Sequence, residues 1–412
     1  MFKKYSIAFL MSFILIITII PVGNSTINKI EYRGVNVTMP YEYYNYSSMT
    51  QLLHELAADN PEIMSLTSIG VTYEGRDIWM VKLSDNVNVE EDEPGVLLMG
   101  AHHGDEKPSF EVPIYFIKHV CEKYYQENTD DDNDGLINED IIDGIDNDAD
   151  GLLDEDPSED RVREVLEKTE IYLIPMVNPD GVEYGWRKNR EPNYGPDGTS
   201  DVITSYGVDL NRNYGYAWYY PDFFPDKYYY EYISDENTWV YRGEEAFSEK
   251  ETQAVKNFVE THDINISLSY HDYGQWMIFP WMHSSRRTPH EKIFRSIGYN
   301  MSRINKYELK IYGQYGEREY FFPQLFGTPG SSENWIYGEN EIIAFTIELC
   351  SHRPEFNINR LMDALWNHVG VNLYVCERSW TVEDDKKDYY DKVPNQWFFN
   401  LLESLIIFKF NK

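Results

Sequence analysis

Residues 96–106 read Val-Leu-Leu-Met-Gly-Ala-His-His-Gly-Asp-Glu. Four consecutive apolar residues, Val96 to Met99, read as a short strand covered on both faces, as strands of a parallel sheet are. The run passes directly into a glycine-led turn carrying His103-x-x-Glu106. A neutral imidazole and a carboxylate three residues apart, delivered by a strand-to-helix turn, can face one divalent cation. Taken singly, the pair is equally a surface histidine and a surface glutamate. His102, its neighbour, points to the other side of an extended chain and is read as a non-ligand.

Working outward, apolar strands and amphipathic helices alternate. Ser48 is expected to cap a helix carrying Met49, Leu52, Leu53 and Leu56 at helical spacing. Residues 78–83, 171–174, 266–270 and 344–349 read as strands, and 109–126 as a helix. A further helix is expected over 248–261, opened by a Ser248/Glu251 capping box. This order predicts an α/β fold: a mixed, largely parallel twisted sheet covered by helices on both faces. In such sheets the reactive groups collect at the carboxyl ends of the strands.

Composition narrows the partners. The chain has 412 residues, 42% of them apolar, which suffices for a large core. Its 36 basic and 70 acidic residues give a net charge of −34, which excludes a nucleic-acid binder because phosphates would be repelled. Three cysteines, Cys121, Cys350 and Cys376, are too few for a disulfide framework. Lys3 and Lys4 precede an apolar run from Ile7 to Ile20 and then Pro21, the layout of a secretory signal over residues 1–26. A secreted or cell-surface location follows, with membrane attachment only if the signal stays uncleaved. Sequons at Asn36, Asn45, Asn265 and Asn300 suit an exported chain. The tail, residues 381–412, is charged and then apolar, and reads as a docking or interfacial segment.

An acidic insertion, residues 127–160, holds 16 Asp or Glu and no Lys or Arg. Within it, Asp130, Asp132, Asp134 and Asn138 stand at loop positions 1, 3, 5 and 9, with Gly135 at position 6 for the sharp turn. The pattern recurs as Asp146, Asp148, Asp150 and Asp154, with Gly151. Alternating oxygens in a tight loop are what Ca2+ takes; the bland alternative is a solvated acidic linker. Neither copy has Glu at position 12, so both resemble thrombospondin type 3 or dockerin-type loops rather than EF-hands. A calcium-ordered structural insert is expected.

Gly100 to Glu106 resembles the first ligand motif of the zinc metallocarboxypeptidases, the carboxypeptidase A/B family, and other segments follow that family's order. These are Tyr73-Glu74-Gly75-Arg76; Asn178-Pro179-Asp180-Gly181 with Trp186-Arg187-Lys188-Asn189; Gly207 to Asn213; Leu268 to Tyr273; and Phe345 to Leu349. The resemblance covers roughly residues 40 to 380, so residues 27–380 are read as the catalytic domain with the insertion inside it. It implies Zn2+ held by His103, Glu106 and His271, with Asp209 orienting His103. It implies Glu348 as general base, Arg187 as oxyanion stabiliser, and Asn211 and Arg212 on the substrate's terminal carboxylate. Tyr273 is implied as a further substrate contact. The implied activity is hydrolysis of the C-terminal bond of peptides or proteins by an activated water, and the protein is expected to be a monomer. A specialised peptidase of cell-wall or unusual amide substrates, on the same fold with the same metal, and a catalytically dead calcium-dependent binding protein are the alternatives.

Two positions depart from the family pattern. Phe326 stands where the family usually carries a tyrosine whose hydroxyl closes over substrate, and Tyr320 or Tyr337 could substitute from a shifted loop. Asp105 stands where pancreatic members carry an arginine, and would disfavour acidic residues upstream in the substrate. By the same count Glu333 lies at the floor of the side-chain pocket, where an acid selects C-terminal Lys or Arg. A one-residue slip of the loop 327–332 would move it out. Residues 27–40 leave no room for a propeptide of the usual length, and Cys350 is expected on the Glu348 face of its strand.

Overall fold

The computed structural model describes residues 41–128, 137, 142, 143, 145, 159–190, 207–218, 231–283, 287–310, 328–352 and 358–392. It also gives strand residues 18–19, 28–32 and 35–39. The chain divides into two compact units, Met1–Tyr43 and Tyr44–Lys412. In the first, β1 (Thr18–Ile19), β2 (Asn28–Tyr32) and β3 (Val35–Met39) form a small antiparallel sheet. The proposed calcium ligands, Phe326, Tyr320 and the tail beyond 392 lie outside the described residues.

The second unit opens with α1 (Tyr46–Asp59), followed by β4 (Met64–Val71), β5 (Asp77–Leu83) and β6 (Gly95–Met99). Then come α2 (Pro108–Tyr124), α3 (Glu159–Lys168), β7 (Glu170–Ile174), α4 (Pro179–Tyr184) and α5 (Lys250–Val259). The remainder is β8 (Ile264–Asp272), β9 (Trp276–Ile278), α6 (Glu291–Asn305), β10 (Glu308–Lys310), α7 (Ser332–Asn340), β11 (Ile343–Leu349) and α8 (Ile358–Lys392). The α8 helix runs through residue 380 without a break.

The eight strands lie in the order β10-β9-β11-β8-β6-β7-β5-β4. The four central strands, β11, β8, β6 and β7, are mutually parallel, and antiparallel pairing is confined to the flanks. β6 and β7 are buried at every position, which is why they read as unbroken apolar runs. Side-chain alternation shows that helices cover both faces. On one face the Tyr270 ring stands edge-on to His368 of α8 and Phe345 packs on Phe294 of α6. On the other, Thr346 donates a hydrogen bond to Glu333 of α7 at 3.0 Å.

Two helix starts differ from the sequence reading. Asn45, not Ser48, caps α1: its side chain accepts from Ser48 N at 2.8 Å while Ser48 Oγ accepts from Asn45 N at 3.0 Å. Serine occupies the third helical position and closes the box from inside. At α5 the expected box does not form, because Ser248 Oγ donates to Glu249 and Glu251 accepts from Asn189. Among the sequons, Asn265 is buried in β8 and donates to Ser379 O, so it is no glycosylation site.

Candidate active site

The carboxyl ends of β6 and β8 are neighbours, with Met99 beside Ser269. Past β6 the backbone turns sharply, and Ala101 takes φ +49°. The turn is held by Ser109, whose Oγ accepts from Ala101 N at 3.1 Å and donates to Glu106 O at 2.5 Å. On its other side lies the 175–187 segment. Asn178 caps α4, accepting from Gly181 N, and its amide reaches both the His102 and the Arg187 carbonyls at 3.3 Å. This gives the Asn178-Pro179-Asp180-Gly181 stretch a physical role: it ties the ligand turn to the arginine segment.

The result is convergence. Ligand atoms of His103, Glu106 and His271 all lie within 4.8 Å of one another, and the three residues are buried. His103 Nδ1 is 2.7 Å from Glu106 Oε1, and His271 Nδ1 is 3.0 Å from Glu106 Oε2 and 3.2 Å from His103 Nδ1. The far nitrogen of His103 meets Asp209 Oδ1 at 3.0 Å, so a carboxylate fixes that ring from behind. Burial and Arg187 oppose a charge on His103, yet Glu106 and Asp209 outweigh them and push its pKa up to about 9. A pocket that stabilises a proton against burial is one that receives a cation in its place, so the donor set fits a divalent ion.

Asp209 also accepts Asn211 N at 3.0 Å and the Arg187 Nε and Nη2 at 3.1 and 2.9 Å. Arg187 is thus pinned by one edge, and its Nη1 reaches Glu106 at 3.3 Å. Asn211 and Arg212 sit in a short 3-10 turn, Leu210–Arg212, both largely buried. Asn211 Oδ1 accepts from Ser332 N at 2.8 Å, which brings the start of α7 against this turn. Glu348 lies directly beside His271 in the β11–β8 register. Burial first, and then the charge of Glu106, push its pKa up to about 8; a cation at the ligand triad would oppose both effects.

Glu333 is 1% exposed, and its Oε1 has no hydrogen-bond partner among the described residues. Its Oε2 accepts from Thr346, two residues before Glu348 and so on the same strand face. Tyr273 is exposed just past β8. Tyr337 is removed as a stand-in for the missing hydroxyl: it is buried, and its oxygen is tied to His290 Nδ1 at 3.1 Å. Cys350 does not keep the strand alternation that would put it on the Glu348 face. It leaves β11 at φ +45°, is buried, and burial pushes its pKa up to about 12. The three described cysteines form no disulfide. Sequence reading passed over Ser269 and Thr346, although each stands two residues before a functional side chain on a strand, and so shares its face.

With this geometry in view, residues 49–368 match the family model described as zinc carboxypeptidase, and the chain belongs to that family. A zinc carboxypeptidase of Saccharothrix mutabilis subsp. capreolus is 26% identical over 321 residues, 74% of this chain and 62% of that protein. Human carboxypeptidase B is 24% identical over 324 residues, 75% of this chain and 63% of that protein. The chain therefore spans about three fifths of the length of these curated relatives. The solved structure of bovine thrombin-activatable fibrinolysis inhibitor with a tick carboxypeptidase inhibitor has a TM-score of 0.59 at 19% identity. That match covers 82% of this chain and 97% of the bovine one, and shows the shared fold.

Proposed function

We propose that the protein is an exported zinc-dependent carboxypeptidase, cleaving the C-terminal bond of peptides with a preference for basic terminal residues. The observation that carries the reading is the convergence of His103, Glu106 and His271 beside Glu348 and Arg187. His103, Glu106 and His271 would hold Zn2+, which supplies Lewis acidity and lowers the pKa of water toward ~7. Glu348 takes the proton from the attacking water and returns it to the leaving amine. Asp209 holds the Arg187 guanidinium through Nε and Nη2, and Nη1, 3.3 Å from Glu106, turns to the negative charge that develops on the carbonyl oxygen. Arg212 and the Asn211 amide hold the substrate's terminal carboxylate, which restricts cleavage to free C-termini. Glu333 accepts a terminal Lys or Arg side chain. The layout of residues 1–26 supports export, and the paired acidic loops support a calcium-ordered insert. No helix among the described residues is long and apolar enough to cross a membrane.

The test measures bound zinc and hippuryl-peptide hydrolysis in the wild type and in Glu348→Gln. One zinc per chain in both, with activity lost only in the mutant, is expected. Equal and negligible hydrolysis by the two proteins would replace this reading with a binding protein that keeps the fold. Treatment with 1,10-phenanthroline should abolish activity, and EGTA should lower the melting temperature.

A further inference from the structure

His102 is fully buried and adjacent to a ligand, yet its ring does not join the ligand cluster. Its Nε2 lies 2.8 Å from the Tyr214 hydroxyl, and its Nδ1 lies 3.1 Å from Ser269 Oγ. The same Ser269 Oγ lies 3.2 Å from His271 Nε2, the nitrogen that faces away from Glu106. We infer that His102 is a positioning residue that fixes the tautomer of His271 through Ser269. The inference rests on His271 being a metal ligand through Nδ1.

The proton order follows from the donor inventory. With its Nδ1 lone pair facing the cation site, His271 must carry its hydrogen on Nε2. Asn211 cannot accept it: its oxygen is taken by Ser332 N, so its NH2 group is what faces His271 Nε2, at 3.4 Å. Ser269 Oγ is then the acceptor, and its own hydrogen turns to His102 Nδ1. His102 therefore carries its hydrogen on Nε2 and donates to Tyr214. Reversing that one tautomer leaves Ser269, which has no third partner among the described residues, either to accept from both rings with its own hydrogen unpaired in a buried site or to reverse the whole chain. In the reversed chain His102 Nδ1–H would donate to Ser269, Ser269 would donate to His271 Nε2, and the hydrogen of His271 would move to Nδ1, where a cation must bind. His103 is oriented by a carboxylate, so the two histidines are held by different means.

The experiment measures zinc affinity by competition with a chromophoric chelator, and the melting temperature of each metal-free variant. Ser269→Ala and His102→Leu should each weaken zinc binding about 10- to 100-fold, and the double variant should be no weaker than either. Ser269→Thr keeps the hydroxyl and His102→Asn keeps an acceptor near the Nδ1 position, so both should bind zinc within about threefold of wild type. Long-range 1H–15N spectra of the zinc-loaded wild type should show His102 as the Nε2–H tautomer, assigned by its absence in His102→Asn. Wild-type zinc affinity in Ser269→Ala, or an Nδ1–H His102, overturns the inference while leaving the ligands intact. A wild type that binds no zinc overturns the ligand assignment itself, and the relay with it.

Discussion

Glu333→Gln separates the side-chain preference from the rest of the chemistry. The carboxylate is buried, its Oε2 receives hydrogen bonds from Thr346 at 3.0 Å and from Ser332 Oγ at 3.5 Å, and its Oε1 has no partner among the described residues. An unsatisfied buried oxygen costs roughly 1–3 kcal/mol, and more when it is charged. A substrate guanidinium entering the pocket recovers that cost and adds a charge-assisted bond. Glutamine keeps the shape and can still accept from Thr346, but it cannot neutralise the cation. Removing one partner of a desolvated ion pair costs about 3–5 kcal/mol, so kcat/KM for hippuryl-Arg should fall roughly 10²- to 10⁴-fold. Hippuryl-Phe, which gains nothing from the charge, should be cleaved as fast or faster, and the metal-free mutant should melt no lower than wild type. The assay is initial-rate hydrolysis of both substrates by both proteins under one buffer. A wild type that prefers hippuryl-Phe, or a mutant whose Arg-to-Phe ratio is unchanged, would refute the pocket assignment.

Asp209→Asn should weaken zinc binding about 10- to 100-fold by freeing His103. It should also destabilise the metal-free protein by about 3–5 kcal/mol, since Arg187 and His103 lose the buried charge between them; urea unfolding reads the second effect independently. Gly104→Ala should fail to fold or lose the site, because an added Cβ would lie 2.1 Å from the Gly181 carbonyl carbon, in rigid backbone; a soluble mutant with wild-type stability would show that the turn can move. Acid should destabilise the fold through His290 and His368, whose pKa values burial lowers to about 4. Below the ordinary value near 6.5 the unfolded chain takes up protons that the folded chain refuses, so stability falls from pH 6.5 toward pH 4. The loss at His368 reaches about 3 kcal/mol at the lower limit, and His368→Gln should show a shallower fall in urea midpoints across that window.

Central strands were legible because parallel strands covered on both faces read as plain apolar runs, whereas His103, Glu106 and His271 became legible as a set only through the family resemblance of the segments that carry them. Of the flanking strands, β5 was legible as the run 78–83, and β4, β9 and β10 were not. β4 alternates buried and exposed positions irregularly and carries a register shift between Ser68 and Gly70, while β9 and β10 are three residues each, too short for periodicity. α6 and α8 carry helical periodicity that a motif-led reading passed over. Single residues failed where local choices compete. Ser48 and Asn45 are both good caps, and only the fold decides which stands first. Cys350 obeys strand alternation only as far as Leu349, after which its positive φ takes it off the face.

The position of Arg187 shows why the site needs so many buried charges. An arginine that stabilises developing negative charge must be held still before that charge exists, or the cost of ordering it falls on the reaction. Asp209 does this through two bonds to a single oxygen, while its other oxygen serves His103 and the Asn211 backbone. One carboxylate thereby holds three groups at once: the His103 ring, the Arg187 guanidinium and the Asn211 backbone. Lysine at 187 would keep the charge but lose the planar edge that Asp209 grips. Arg187→Lys should therefore lower kcat far more than it raises KM; a raised KM with kcat unchanged would place Arg187 in ground-state binding instead.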